Sequence, residues 1–349
     1  MSWSFETAEA VVVGNTRLGY PRGAMRKLLL VLLLAGFPVQ GSENPEARSL
    51  YEKGLASFQT RTREGLVESR LFFQEAVALD PGFAEAHAGV ADASCLLALY
   101  GYEAPSRVMP GAGEAAVEAI RLEPSLAKAH ASLGLVRYLY EWSFAEAEAS
   151  FEKAIALDPA YPPAHHWYAM MLMATGRYEE SLEQIEKTIA LEPESALHDV
   201  KRGTILMAAG KLDEAETHLR AVLERRPQSP LARRELGLLE LLRDRPQAAN
   251  SLLDSSEPAY ALVLGRLGRT SEARSMLTAL RQVESSGFVS PVDYALIHLG
   301  LGEKDQALDE LDRAFEMRDA ALVYLRTQPA LAPLRSEPRF QDILKRMGF

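Results

Sequence analysis

Between about residue 46 and residue 320, apolar residues recur at helical spacing in paired runs. Short turns join the two runs of a pair, as at Ala174-Thr175-Gly176-Arg177 and Ala209-Gly210-Lys211. An acidic phrase and a proline then close the pair: Ala-Val-Ala-Leu-Asp-Pro81, Ala-Ile-Arg-Leu-Glu-Pro124, Ala-Ile-Ala-Leu-Asp-Pro159 and Thr-Ile-Ala-Leu-Glu-Pro193. Proline cannot continue a helix, so it ends one unit and opens the next. Pro159, Pro193 and Pro227 stand 34 residues apart. On that period, the eighth position holds Gly54, Ala91, Gly134, Ala169, Gly203, Gly237, Ala261 and Ala295. The twentieth holds Ser69, Ala112, Ala147, Ser181, Ala215, Ala249, Ala273 and Ala307. Small side chains at both columns let two helices approach closely. A large apolar residue follows four positions on, at Phe73, Phe151, Ile185, Leu219, Leu253, Leu277 and Leu311; Ala116 alone breaks the column.

A 34-residue helix–turn–helix period is that of the tetratricopeptide repeat, and residues 46–320 resemble that family. The resemblance implies an all-α fold: a right-handed α-solenoid of about eight helix pairs plus a C-terminal capping helix. Ala-Gly-Val-Ala-Asp-Ala (88–93), Ala-His-Ala-Ser-Leu-Gly (129–134) and His-His-Trp-Tyr-Ala (165–169) look like one subfamily, as does the ending Pro-Leu-Arg-Ser-Glu-Pro-Arg-Phe. Such arrays sit C-terminal to bacterial winged-helix regulators and Ser/Thr kinases. The residues given ahead of the array are too few for either effector domain, so DNA binding and phosphorylation are not expected to carry over.

The array is uneven. A Gly- and Pro-rich stretch, 101–113, lengthens the second unit, and the sixth is cut short at Ser255-Ser256-Glu257-Pro258. That shortening divides the expected array into six units (46–257) and two (258–320), followed by a cap (321–349). Ser336 is expected to cap a final helix with Phe340, Ile343, Leu344 and Met347 on its apolar stripe.

Stacked pairs wind into a superhelix with the first helix of each pair on the concave side. The resemblance implies a partner-binding groove on that side. Mapped onto this chain, it contains Lys128, Leu135, Tyr138, His166, Met170, Met173, Val200, Thr204, Met207 and Arg234. The groove is expected to be mostly apolar, with flexible Met side chains at its centre, and to take an amphipathic helix or extended apolar segment of a protein or peptide. On this reading Met170→Asp with Met207→Asp abolishes capture and leaves the helices intact; packing against the next repeat is the competing role for the Met residues.

Composition narrows the partner. The net charge is −10, and no basic stripe exists to displace counterions from phosphates, which disfavours nucleic acid. The single cysteine, Cys95, lies among apolar neighbours and reads as a buried thiol. His87, His130 and His165 share the fourth position, where ring packing between helices explains them better than metal ligation. Glu179, Glu180 and Glu183 near Lys187 read as a solvated face with i,i+4 pairs. No phosphate loop or nucleophile elbow occurs. The expectation is a scaffold without chemistry, cofactor or metal.

Met25 to Gly41 has the parts of a secretory signal: Arg26 and Lys27, an apolar run Leu28–Phe37, and small Val39 and Gly41 before Ser42. The run is too short to span a bilayer, which takes about 20 residues. The expectation is export, to a periplasm, with 1–24 a mis-annotated leader. The alternative is a cytoplasmic regulatory subunit of a separately encoded kinase or transcription factor.

Overall fold

The computed structural model describes residues 42–285 and 287–349. The expected leader and signal lie outside the described residues. Among the described residues, sixteen helices form eight antiparallel pairs: α1 (Pro45–Gln59) with α2 (Arg63–Leu79), α3 (Ala84–Leu99) with α4 (Pro105–Leu122), α5 (Ala127–Val136) with α6 (Phe144–Leu157), and α7 (Pro162–Ala174) with α8 (Tyr178–Leu191). There follow α9 (Ala196–Ala208) with α10 (Leu212–Arg225), α11 (Pro230–Leu242) with α12 (Pro246–Leu252), α13 (Tyr260–Arg266) with α14 (Thr270–Glu284), and α15 (Pro291–Gly300) with α16 (Lys304–Glu316). Two 3₁₀ segments, Ala320–Tyr324 and Pro329–Leu334, then lead to α17, Pro338–Arg346.

The small-residue columns set the crossings. All eight residues of the twentieth position are fully buried. A Cβ on Gly134 would stand 2.7 Å from the Phe151 ring, and one on Gly203 would stand 2.6 Å from Leu219. Gly54 and Gly237 bear the same relation to Phe73 and Leu253. At these four pairs the large residue four places after the second column fills the space left by the glycine of the first. At the fourth pair the polar version appears: Ser181 donates to the Ala169 carbonyl at 2.7 Å.

The hairpin turns need a left-handed residue. Gly176, Gly210, Gly268 and Gly302 supply it, with φ between 72° and 85°. Arg61, Trp142 and Asp244 take the same conformation at the turns of the first, third and sixth pairs, at a cost of about 1 kcal/mol or more each.

One expectation, the cap of the last helix, needs correction. The shortened sixth unit is a seven-residue α12. Its Leu253 and Ala259 join the same apolar core as residues on both sides. Ser336 does not cap α17; Glu337 stands at that position. The C-terminal segment is also more than an end cap. Residues 320–324 pack on α3 and on the π-helical turn Arg137–Glu141 that ends α5, while 329–334 pack on α11 and α15. The Arg326 guanidinium bonds the Thr175 carbonyl, and the Phe349 ring packs tilted against that of Phe144 with centroids 4.7 Å apart. Apart from Phe144, which opens the second helix α6, these sites on α3, α5, α7, α11 and α15 belong to first helices or their ends. The chain thus lays its own tail along the inner face.

The tail can do this because the pairs coil back on themselves. A Cβ on Gly287, before the eighth pair, would stand 3.5 Å from the Arg63 guanidinium of the first. Arg318 donates to the Tyr140 carbonyl at 2.8 Å and lies over the Trp142 ring.

Candidate functional site

The inner face has two tiers. The first comprises the C-terminal halves of the first helices and is apolar. Leu135, Tyr138, Met170 and Met173 are 3% exposed or less and belong to the main core, together with Leu322, Val323, Leu325, Leu331 and Leu334 of the tail. The Tyr138 hydroxyl donates to the Met170 carbonyl at 3.3 Å and lies against Tyr324. Burial pushes the Tyr138 phenol well above its ordinary pKa, with Tyr324 adding to the shift. Val200 and Met207 are buried against the following pair, beside Leu236 and Leu239. The expected open apolar groove is therefore corrected. Seven of the ten mapped residues, including His166, are buried. The physical reason is twofold: the returning apolar tail joins Leu135, Tyr138, Met170 and Met173 in one core, while Val200 and Met207 are covered by the following pair.

The second tier, at the N-terminal halves, is polar. Lys128 lies 3.5 Å from Asp92 and sits over the rings of Tyr51 and Phe73. Burial opposes the Lys128 charge, but Asp92 and Tyr51 more than offset it and raise its pKa. Arg234 pairs with Glu257 at 2.7 Å and with Glu235 at 3.7 Å. Thr204 spends its hydroxyl on the Val200 carbonyl of its own helix. His166 is 5% exposed, packs edge-on against Trp167, and faces His198 with ring centroids 5.1 Å apart. Its Nδ1 has no hydrogen-bond partner. Burial pushes the His166 imidazole well below its ordinary pKa, and His198, Lys201 and Arg61 push it further. Asp293, near Arg234 and Asp319, is raised to about 7, first by burial and then by the Asp319 charge.

Sequence reasoning placed Lys128, His166 and Arg234 in separate units and missed Arg61, Asp92, His198, Lys201 and Asp293. Lys201 and Asp293 stand one residue after the fifth position, and His198 two before it. Those columns lie beside the ones that the resemblance marks. The superhelix then brings Arg61 of the first hairpin turn into the electrostatic environment of His166 in the fourth pair.

The other histidines have a structural use. Nε2 of His87, His130 and His165 reaches the carbonyl of Pro81, Pro124 and Pro159, six residues earlier, at 3.0–3.1 Å. Each ring clasps the turn between units. Among the described residues, no group of three or more ligating side chains converges as a metal site. Nor is any helix there long and apolar enough to cross a membrane. Cys95 is buried, and burial raises its thiol well above the ordinary range. Glu179 and Glu180 do not form the expected i,i+4 pairs. Glu179 bonds Lys211 of the next unit at 2.9 Å, and Glu180 bonds Arg177.

Two family models described as tetratricopeptide repeat match the sequence, one over 138–202 and one over 200–261. No curated protein matches it. Among solved structures, the human IFIT1 dimer with m7Gppp-AAAA aligns with a TM-score of 0.56 at 15% identity, covering 85% of this chain and 77% of that one. Yeast Tom70 aligns with a TM-score of 0.51 at 16% identity, covering 93% and 75%. TTC0263, a thermophilic repeat protein of Thermus thermophilus, gives 0.48 at 16% identity over 56% and 99%. At these identities the likeness concerns the fold, which typically serves as a non-catalytic scaffold. The matched repeats at 138–261, and pairs built to the same plan on either side of them, make this chain a tetratricopeptide-repeat protein.

Proposed function

We propose that the protein is an exported, non-enzymatic scaffold that holds a segment of another protein against the polar tier of its inner face. One observation carries the reading. The apolar tier is filled by residues 320–334 of the chain itself, whereas the polar tier keeps charged groups at its surface. Lys128 and Arg234 remain partly exposed there. The repeat family generally works through protein–protein contact, and its inner face is where such contacts are made. A polar inner face selects its ligand by hydrogen bonds and charge, which give specificity and orientation more than raw affinity. The ligand is thus an extended polar peptide, in place of the apolar segment that the sequence suggested. The signal-like stretch 25–41 supports export to the cell envelope.

A photo-crosslinking residue at Lys128 or Arg234 in the mature protein tests the binding face, with Val117, an exposed outer position, as control. Crosslinks to one partner from both inner positions and none from Val117 are expected; the reverse pattern contradicts the reading. N-terminal sequencing tests the location. A chain starting at Ser42 is expected, and an intact Met1 in the mature protein contradicts export.

A further inference from the structure

Ser42 is the residue that removal of the signal-like stretch would leave at the front of the chain, and it is only 2% exposed. Its hydroxyl donates to Oδ2 of Asp80, the residue that closes α2, and accepts from the Asn44 amide at 3.0 Å. Its carbonyl accepts from the Arg48 guanidinium. Asn44 ties the segment to both helices of the first pair. Its Oδ1 takes the Glu46 and Ala47 amides at the start of α1, and its Nδ2 donates to the Leu79 carbonyl at the end of α2. The chain is thus fastened to the first pair from Ser42 onward. Asp80 uses its two oxygens differently. Oδ1 accepts from the Gly82 amide at 3.0 Å, a turn bond that Asp158 repeats with Ala160 in the third pair. Oδ2 is given to Ser42. Asp80 makes no ion pair among the described residues, and α2 has no basic residue in its last turn, whereas α4 has Arg121 and α10 has Arg225. The C-terminal end of a helix carries about half a negative charge and favours a cation close by. The charged groups around Ser42 are Glu43 next in the chain, Glu46 and Arg48 of α1, and Asp80. Arg48 is bound to the Ser42 carbonyl and forms no ion pair with Asp80. A carboxylate and a helix end therefore meet at Ser42 without a cation paired to either.

We propose that this is the seat of a new N-terminus: hydrolysis of the Gly41–Ser42 bond frees an α-ammonium group that pairs with Asp80 at the end of α2, so that processing completes the first repeat. Water is the co-reactant. Its hydroxyl passes to the Gly41 carbonyl carbon and its proton to the Ser42 nitrogen, in the cleft of a signal-peptidase-type protease. The freed nitrogen belongs to the residue whose hydroxyl already touches Asp80, so rotation within Ser42 brings the charge to the carboxylate as a charge-assisted hydrogen bond. Docked Ser42 is too enclosed to lie in a protease cleft, so cleavage precedes closure of the first pair. The inference rests on the export reading and specifies what the cleaved end does.

The test compares chains that begin at Ser42 and at Gly41, each complete to Phe349, with and without Asp80→Asn, which keeps an acceptor for the Gly82 amide. The pKa of the terminal amine is read from the pH dependence of its acylation, followed by mass spectrometry. An α-amine ordinarily titrates at about 8. The Ser42 amine should titrate about one unit higher, because Asp80 favours its charged form. Asp80→Asn should return it to the ordinary value, and the Gly41 amine should be ordinary in both backgrounds. The Ser42 chain should also melt about 2 °C above the Gly41 chain, and Asp80→Asn should abolish that difference. The Gly41 chain serves as the comparison that does not depend on the variant folding. An ordinary pKa for the Ser42 amine, or a raised one that survives Asp80→Asn, overturns the pairing. Sequencing of the exported protein separates the two readings. A start at Ser42 with an ordinary amine overturns the seat and leaves export standing. A start at any other residue overturns the proposal whatever the prepared chains show, and an intact Met1 overturns the export reading with it.

Discussion

The two tiers of the inner face are made by the same first helices, yet one has become core and the other has stayed surface. At the C-terminal halves, Tyr138, Met170 and Leu238 are at most 1% exposed, beneath or beside the returning tail. At the N-terminal halves, Lys128 and Arg234 keep contact with water and pair with carboxylates. The difference teaches that position within a repeat does not by itself decide whether a residue binds a partner. Chain length decides it too, because eight pairs coil far enough for a short apolar tail to reach the third and fourth.

The strongest way to break this comparison is to remove the tail. Ending the chain after Arg318 exposes the apolar tier and deletes Leu322, Val323, Leu325, Leu331, Leu334, Phe340, Ile343 and Met347, each 1% exposed or less. At about 1.5–3 kcal/mol per buried side chain, the loss of about 10 kcal/mol or more rivals the whole stability of a domain. The truncated chain should lose its cooperative melt and bind a hydrophobic dye; a sharp transition near the full-length Tm contradicts the core assignment.

Met170→Asp acts on the same tier at one point. A carboxylate placed 1% exposed among apolar groups should cost about 3–5 kcal/mol, read as a fall in the denaturant midpoint. Lys201→Met, in the polar tier, should move that midpoint hardly at all.

Asp293 sharpens the contrast through pH. Its folded pKa, about 7, lies above the ordinary 3.8. The folded state therefore keeps this proton over a window in which the unfolded state has lost it. Stability is greatest below the unfolded value, falls as pH rises through that window, and levels off above about 7. Asp293→Asn removes the penalty. It should raise stability by about 1–2 kcal/mol at pH 8 after allowance for solvent screening, and leave it nearly unchanged at about pH 4. An equal gain at both values contradicts the assignment.

A small stabilising effect is expected at Arg61. Arg61→Gly relieves the left-handed turn and should stabilise by about 1 kcal/mol, raising Tm. A lower Tm would show that the arginine is held there for packing.

The repeat itself was legible in the sequence. The Gly134 and Phe151 columns predicted a crossing that recurs as drawn, because contact between the two helices of a pair is local and periodic. The His87, His130 and His165 column was visible, but its role was not, since the proline carbonyl that each ring bonds is a backbone group. The filled apolar tier was illegible for another reason. Leu322 and Leu334 follow no 34-residue register, and their packing depends on superhelical pitch, a sum of small rotations over eight pairs. The same summation brings Arg61 near His166, across three pairs, where no spacing rule would join them.

Native-state hydrogen exchange resolved by residue tests the central distinction most directly. The account predicts that amides of α17 and of the two 3₁₀ segments exchange only with the global unfolding that releases α7. Early exchange throughout residues 320–346, with α7 still protected, would make the tail a removable cover and contradict its place in the core.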